Sequence, residues 1–312
     1  MPKELTPQHD GIFIEHSVVN EDIVEISKTF EAPVSLEGCN LNGKLSFRKC
    51  IFKEFVMFRG TKLPDRAEFI DCIFLKGCSF AAGLNFSLNK NEGDHIDDIY
   101  HLKFDGSEFH NYVTFNNRVF KRSASFKNCT FYDPPHFQNA ALHHGTKFSG
   151  SQFIGPKKKY DKVRISRFVS GYRRLKYLMK DRGSLFYEYD FHALELQGRK
   201  IDKTTPVSER FTISLYQLSS NYGRDIKRPI LFFAIRTFRN YLILILSKHP
   251  PIDSARFIVD QSFSPFSIST EFPTSEMKKD ASLLLGIISL IQGFLGLVSF
   301  SLFLFTVQRK FK

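Results

Sequence analysis

The chain has 312 residues, 24% charged and 42% hydrophobic, which excludes global disorder and leaves room for two domains. Its 35 Phe and absence of Trp mean that some element uses Phe repeatedly, and five Cys are too few, and of the wrong parity, for a disulfide scaffold. The net charge of +12, from 44 Lys+Arg against 32 Asp+Glu, points when taken alone to a polyanionic partner, either nucleic acid or an anionic membrane.

The opening stretch, MPKELTPQHDGIFIEHSVVN, holds no apolar run of signal-peptide type, so the front of the chain is expected to start in the cytosol. Residues 1–33 are read as an N-terminal cap segment. From Leu36 the large apolar residues fall at Leu36, Leu41, Phe47, Phe52, Phe58, Leu63, Phe69, Phe74 and Phe80. The pattern resumes at Phe104, Phe109, Phe115, Phe120, Phe126, Phe131, Phe137, Leu142, Phe148 and Phe153. Steps of five and six alternate throughout, giving a period of 11. The stretch between, residues 83–101, breaks phase and is rich in Asn and Asp, so it reads as an inserted loop.

Short Phe- and β-branched-rich units punctuated by Gly, Asn and Asp fit a solenoid of short strands better than a helix. One unit cannot bury its own apolar face, whereas stacked coils form a continuous column of rings. The position two before each centre is nearly always small or apolar, and all five Cys occupy it: Cys39, Cys50, Cys72, Cys78 and Cys129. They read as packing residues, since zinc would need clustered CxxC or Cys/His spacing. Arg118 is the main exception in this inward register.

Segments such as AEFIDCIFLKGCSF and ASFKNCTFYDPPHF resemble pentapeptide repeats, in an 11-residue variant with paired Phe centres. The resemblance covers about residues 34–155 and implies a right-handed quadrilateral parallel β-helix, a β-solenoid of roughly five coils at about 22 residues per coil. The family as a whole is not one of enzymes. Some of its members mimic the DNA duplex and act on topoisomerases, but those are acidic and this chain is basic, so nucleic-acid mimicry is disfavoured.

Residues 156–226 read as a basic helical connector. GPKKKYDKVRISRFVSGYRRLKYLMKDRGSLFYEYDFHALELQGRK suggests two helices broken near Gly183, and Ser208 suggests the N-cap of a third that ends at Gly223. Residues 157–228 hold 18 Lys+Arg and 8 Asp+Glu, most of the chain's excess charge. Glu188, His192 and Glu195 share one side of a helix. With no second cluster to complete a metal site, they are expected to form an ion-pair cluster with Arg173 or Arg174 on the preceding helix. No nucleophile–base motif and no phosphate-cradling loop is visible, so no catalytic residue, metal ligand or cofactor is assigned and the chain is not read as an enzyme.

Residues 227–312 read as a transmembrane hairpin. Residues 281–307 run for 27 positions without a charge, against about 20 needed to span a bilayer. An earlier stretch, PILFFAIRTFRNYLILILS (residues 229–247), has the length but carries Arg236 and Arg239, each costing about 2.5–3.5 kcal/mol at a helix centre. These two Arg share a face with Asn240, which either lines water or pairs with an acid such as Asp260, the alternative being an interfacial helix that never crosses; Gln292 is the strongly polar residue of the second span. Basic flanks before the first span and after the second place both chain ends in the cytosol, with residues 248–280 as an extracytoplasmic loop.

FHALELQGRK and LYQLSSNYGRDIKRPILFF, followed by a terminal span ending in VQRKFK, are similar to the C-terminal parts of bacterial pentapeptide-repeat proteins with two transmembrane helices. This wider resemblance implies an inner-membrane, multi-pass protein whose hairpin resembles the two-span core of potassium-type channels. A TVGYG-type filter is missing, so potassium selectivity is not implied. One two-span subunit cannot enclose a channel, so a homo-oligomer is expected, four copies by analogy. The expected function is a channel-like or membrane-permeabilising assembly controlled by its cytosolic domain through a protein or small-molecule trigger. The alternatives are a membrane-tethered scaffold that recruits a protein partner and a membrane-acting defence effector.

Overall fold

The structure is a computed structural model that describes residues 11–83, 98–246, 252, 294, 297–304 and 306–308. It divides into two compact units, Met1–Thr204 and Thr205–Lys312.

The first unit is a four-sided β-solenoid of parallel, in-register strands. Partners lie 22 residues apart: Ile12 faces Val34, and Val34 faces Val56. One side contains six stacked strands, from Thr29–Phe30 to Gln152–Phe153, so the solenoid has about six turns rather than five. The extra turn is made from the segment expected as a cap, whose strands Ile12–Phe13, Val18–Val19, Ile23–Ile26 and Thr29–Phe30 pair with the next turn.

The winding follows from two local rules. Two corners of each turn need positive φ, and they recur in columns: His16, Gly38, Gly60, Asn117 and Asn139 at one corner, and Ser27, Lys49, Asp71, Gly106, Asn128 and Gly150 at the other. Gly and Asn adopt that region at the least cost, which explains the polar punctuation every 11 residues. Between corners, each short strand sends its central residue inward. Phe30, Phe52, Phe74, Phe109, Phe131 and Phe153 therefore stack with centroids 5.1, 4.9, 4.9, 4.9 and 5.2 Å apart. That spacing is close to the distance between hydrogen-bonded strands, so backbone pairing and ring stacking reinforce each other. A second column runs through Phe47, Phe69, Phe104, Phe126 and Phe148.

The insertion interrupts one turn without disturbing its neighbours. Cys78 pairs with Val113, a step thirteen residues longer than usual, and the interior columns continue across it. The chain rejoins the coil earlier than expected: Asp98–Ile99 pairs with Val119–Phe120, and His101–Lys103 with Arg66–Glu68. Of the expected loop 83–101, residues 84–97 lie outside the described residues.

Helices α1 (Lys162–Asp181) and α2 (Leu185–Ile201) belong to the same unit. Asp161 starts α1 by accepting a hydrogen bond from the Arg164 N–H at 2.7 Å. The left-handed Gly183 lies between the helices, as the sequence suggests. Their apolar face covers the last turn: the Phe191 ring meets Phe153 edge-on at 4.8 Å, Tyr187 meets Phe148 at 6.3 Å, and Tyr172 is fully buried beside Phe153. The first two helices of what reads in the sequence as a connector are thus a cap on the end of the solenoid, the piece a repeat array needs to keep its last apolar layer out of water, while α3 belongs to the second unit.

The second unit contains α3 (Val207–Ser220) and α4 (Lys227–Leu246), and residues 297–304 and 306–308 are helical. Helix α3 begins at Val207 after Pro206, not at a Ser208 cap. Proline's fixed φ suits a helix entrance, and Ser208 falls inside the first turn. The helix ends on Asn221, the first of three consecutive positive-φ residues with Tyr222 and Gly223. The first expected span coincides with α4. Among the described residues no helix is long and apolar enough to cross a membrane. Most of the second expected span, 281–307, lies outside the described residues, as does nearly all of 248–280.

Candidate functional site

Polar side chains collect in three places. The first is the solenoid interior. On one side, the residue two before each central Phe donates to a carbonyl of the preceding turn. Cys72 Sγ donates to Phe47 O at 3.4 Å, Ser107 Oγ to Phe69 O at 2.8 Å, Cys129 Sγ to Phe104 O at 3.0 Å, and Ser151 Oγ to Phe126 O. A second ladder is formed by Cys39 donating to Ile14 O at 3.3 Å and Thr61 to Leu36 O. Thiol and hydroxyl are interchangeable here because the task is to satisfy a buried carbonyl. All five Cys are free and buried. Burial pushes the Cys72 and Cys129 thiols up to about 12, and Cys78 well above its ordinary value. These are poor nucleophiles and poor metal ligands.

Arg118 occupies the second ladder's position after the insertion and is fully buried. Its Nε donates to Phe80 O at 2.7 Å, and its Nη2 to Phe58 O at 3.2 Å and Thr61 O at 2.9 Å. One guanidinium thus satisfies carbonyls on two earlier turns.

The second place is the cap. Glu195 of α2 is 3% exposed, and it pairs with Arg173 Nε at 2.9 Å and Lys176 Nζ at 2.7 Å from α1. Burial alone would raise its carboxyl, but hydrogen bonds from its basic neighbours outweigh that and hold it at about 2. His192 Nδ1 is 3.8 Å away, beyond hydrogen-bond reach, so we assign the effect to Lys176 and Arg173. The expected pairing of Arg173 with Glu195 is therefore present. Arg174 instead donates to Phe137 O of the solenoid at 3.3 Å, and Glu188 lies in the first turn of α2, facing the positive end of the helix dipole. Lys176, which the sequence reading does not single out, lies i+3 from Arg173 and so on the same face. At the other edge of the cap, Arg164 Nε pairs with Asp133 at 2.9 Å and tethers α1 to the last turn. Among the described residues no group of His, Cys, Asp and Glu could hold a metal ion.

The third place is α4 and the described terminal residues, where several polar side chains are buried and several large apolar ones exposed. Asn240, Ser299 and Thr306 are 4%, 3% and 1% exposed. Leu231, Ile235, Phe238, Leu242 and Leu246 of α4, and Phe294 and Phe300, are exposed. Arg239 Nε donates to Asn240 Oδ1 at 3.3 Å. Of the other residues singled out for the hairpin, the Arg236 side chain, Asp260 and Gln292 lie outside the described residues. A shallow hollow of about 320 Å³ beside Arg59, Ser79, Thr114 and Asn116 contains none of the residues singled out from the sequence.

No curated protein and no solved structure matches the chain. Residues 104–152 match the family described as pentapeptide repeats (9 copies). That match falls within the β-solenoid, so residues 104–152 of the coil carry pentapeptide repeats.

Proposed function

We propose that this is a membrane-attached, non-catalytic pentapeptide-repeat scaffold. The second unit sits in lipid, and the capped solenoid, held at the bilayer surface, offers its flat sides to a protein partner. The observation that carries the reading is on α4 and the described terminal residues, where Leu231, Ile235, Phe238, Leu242, Leu246, Phe294 and Phe300 are exposed while Asn240, Ser299 and Thr306 are buried. Water penalises that arrangement at every exposed Leu, Ile and Phe, whereas a bilayer accepts it and requires polar groups to be satisfied internally. The exposed apolar residues of α4 cover nearly half its circumference, wider than the narrow seam a partner helix covers. Basic residues before α4 and after the terminal apolar stretch suit attachment to an anionic bilayer surface. Flotation of reconstituted full-length protein with liposomes, followed by alkaline extraction, tests the reading; protein that sediments free of lipid sinks it.

A second reading, an oligomeric channel-like assembly, is favoured by the polar step on α4, where Arg239 meets the buried Asn240. Four copies, as in two-span channels, would bring four such steps around an axis. Ion flux through liposomes containing the full chain separates the readings, because a scaffold conducts nothing and tolerates Arg239→Leu, while a conduit loses its flux.

A further inference from the structure

Helix α3 carries an apolar stripe that its own unit leaves uncovered. Val207, Phe211, Leu215 and Leu218 are 73%, 63%, 49% and 64% exposed. Their spacing of four, four and three residues aligns them on one face. Ile213 and Ser220, on the opposite side, are buried. We propose that this face of α3 lies flat in the headgroup region of an anionic bilayer, as an in-plane helix beside the lipid-embedded α4. The inference rests on the membrane reading above and specifies which lipid surface the unit recognises.

Three observations select lipid as the occupant. The stripe is continuous in character with the exposed apolar residues at the start of α4, Ile230 and Leu231, and α4 follows after a turn fixed by three positive-φ residues. That turn is anchored by the buried Tyr222 and by the Gly223 N–H donating to Ser220 Oγ at 3.0 Å. Next, four hydroxyls of α3 bond inside the helix: Thr212 donates to Ser208 O at 3.0 Å, Ser214 to Arg210 O at 2.8 Å, Ser219 to Leu215 O at 2.8 Å and Ser220 to Tyr216 O at 3.1 Å. Hydroxyls bonded to their own backbone lose little when water thins out at an interface. Finally, exposed Lys227 follows the helix, beside exposed Arg228, which pairs with Asp225 at 3.3 Å, so the turn after the stripe carries a net positive charge where lipid phosphates and carboxylates would lie.

The test uses full-length protein reconstituted into vesicles of phosphatidylcholine with or without phosphatidylserine. A fluorophore is attached through Leu215→Cys, Thr212→Cys or Ile235→Cys; the buried native thiols leave the added cysteine as the reactive one. The Leu215→Cys label should be quenched severalfold more by nitroxides placed near the headgroups than the Thr212→Cys label, which stays within reach of a water-soluble quencher. Its quenching should deepen with phosphatidylserine and weaken with salt, and Phe211→Cys should behave alike. If the Leu215→Cys and Thr212→Cys labels are equally open to water while the Ile235→Cys label is lipid-quenched, the inference fails and the membrane reading stands. A Leu215→Cys label shielded from water yet untouched by lipid nitroxides means a protein covers the stripe, which also overturns the inference. An Ile235→Cys label open to water overturns the membrane reading itself.

Discussion

Arg118 reaches back sixty residues to donate a hydrogen bond to the Phe58 carbonyl at 3.2 Å, from a position with no solvent exposure. Its neighbours in the same column use small groups for the same work, Cys39 reaching Ile14 O and Glu37 O, and Thr61 reaching Leu36 O. Only a long, forked donor can serve Phe80, Phe58 and Thr61 together. Arg118→Ala leaves buried carbonyls unsatisfied and opens a void, so it should lower stability by about 3 kcal/mol or more. Arg118→Lys should recover part of this, because a point charge cannot bridge all three oxygens. Denaturant midpoints followed by far-ultraviolet dichroism measure the effect, and an unchanged midpoint for Arg118→Ala would mean the network holds nothing.

The thiol ladder predicts silence toward alkylating reagents. With Cys72 and Cys129 held near 12 and all five thiols buried, iodoacetamide at neutral pH should leave the native protein unmodified and label all five after unfolding. Ser107 and Ser151 already stand in the column of Cys129, so Cys129→Ser should be near neutral. Cys129→Ala, which removes one of two donors to the Phe104 carbonyl and leaves it the Ser107 N–H, should cost about 1 kcal/mol or less. Equal stability of the two variants would show that the thiol acts by volume alone.

The five–six alternation of large residues shows the solenoid plainly in the sequence, because each inward step must be bulky to fill a narrow core. The same alternation continues upstream through Ile14, Val19, Glu25 and Phe30, which are the centres of the first turn. It escapes notice because the Phe signal fades there and Glu25 occupies the place aligned with Phe47. Arg118 stood out as a register exception, but its purpose depends on carbonyls of turns that only the fold brings beneath it. The covering role of α1 and α2 was illegible for a related reason: the surface they bury, Phe148 and Phe153, exists only once the last turn has been wound. The Arg173–Glu195 pair was readable because helical spacing alone aligns its members. Nothing in local spacing sends Arg174 to the solenoid backbone instead.

Two groups near the cap predict separable acid transitions. His136 is largely buried beside α1, and its imidazole is pulled down to about 4, first by burial and then by Arg167. Its ordinary value is 6.5, so between 6.5 and 4 the unfolded chain takes up the proton and the folded chain does not. Stability should therefore fall across that window, by roughly 2 kcal/mol once partial exposure is allowed for. Glu195, ordinary value 4.5 and held at about 2, contributes stability above 4.5 that is lost as pH falls through 2, about 3 kcal/mol in full. His136→Phe should flatten the upper window and leave the lower, and Glu195→Gln the reverse. A stability–pH profile in which both variants lose the same limb would contradict the assignment.

Helix α1 comes close to the last turn of the solenoid at Gly171. A Cβ there would meet Pro134 Cγ at 2.7 Å, Pro134 Cβ at 2.9 Å and His136 Cε1 at 3.1 Å. The proline ring cannot swing aside as a long side chain would, so α1 approaches the last turn only because residue 171 has no side chain. Gly171→Val forces α1 outward and breaks the alignment of Arg164 with Asp133 and of Phe191 with Phe153. An uncapped turn presents unpaired strand edges beside exposed Phe rings, which is the template for end-to-end stacking. Gly171→Val should therefore lower stability by about 2–3 kcal/mol and yield concentration-dependent higher-order species in light scattering. Gly183→Ala, where nothing lies within 4 Å, is the control: it strains only the turn between the two helices and should not aggregate. If Gly171→Val keeps the size distribution and midpoint of the parent chain, the helices are not what closes the solenoid.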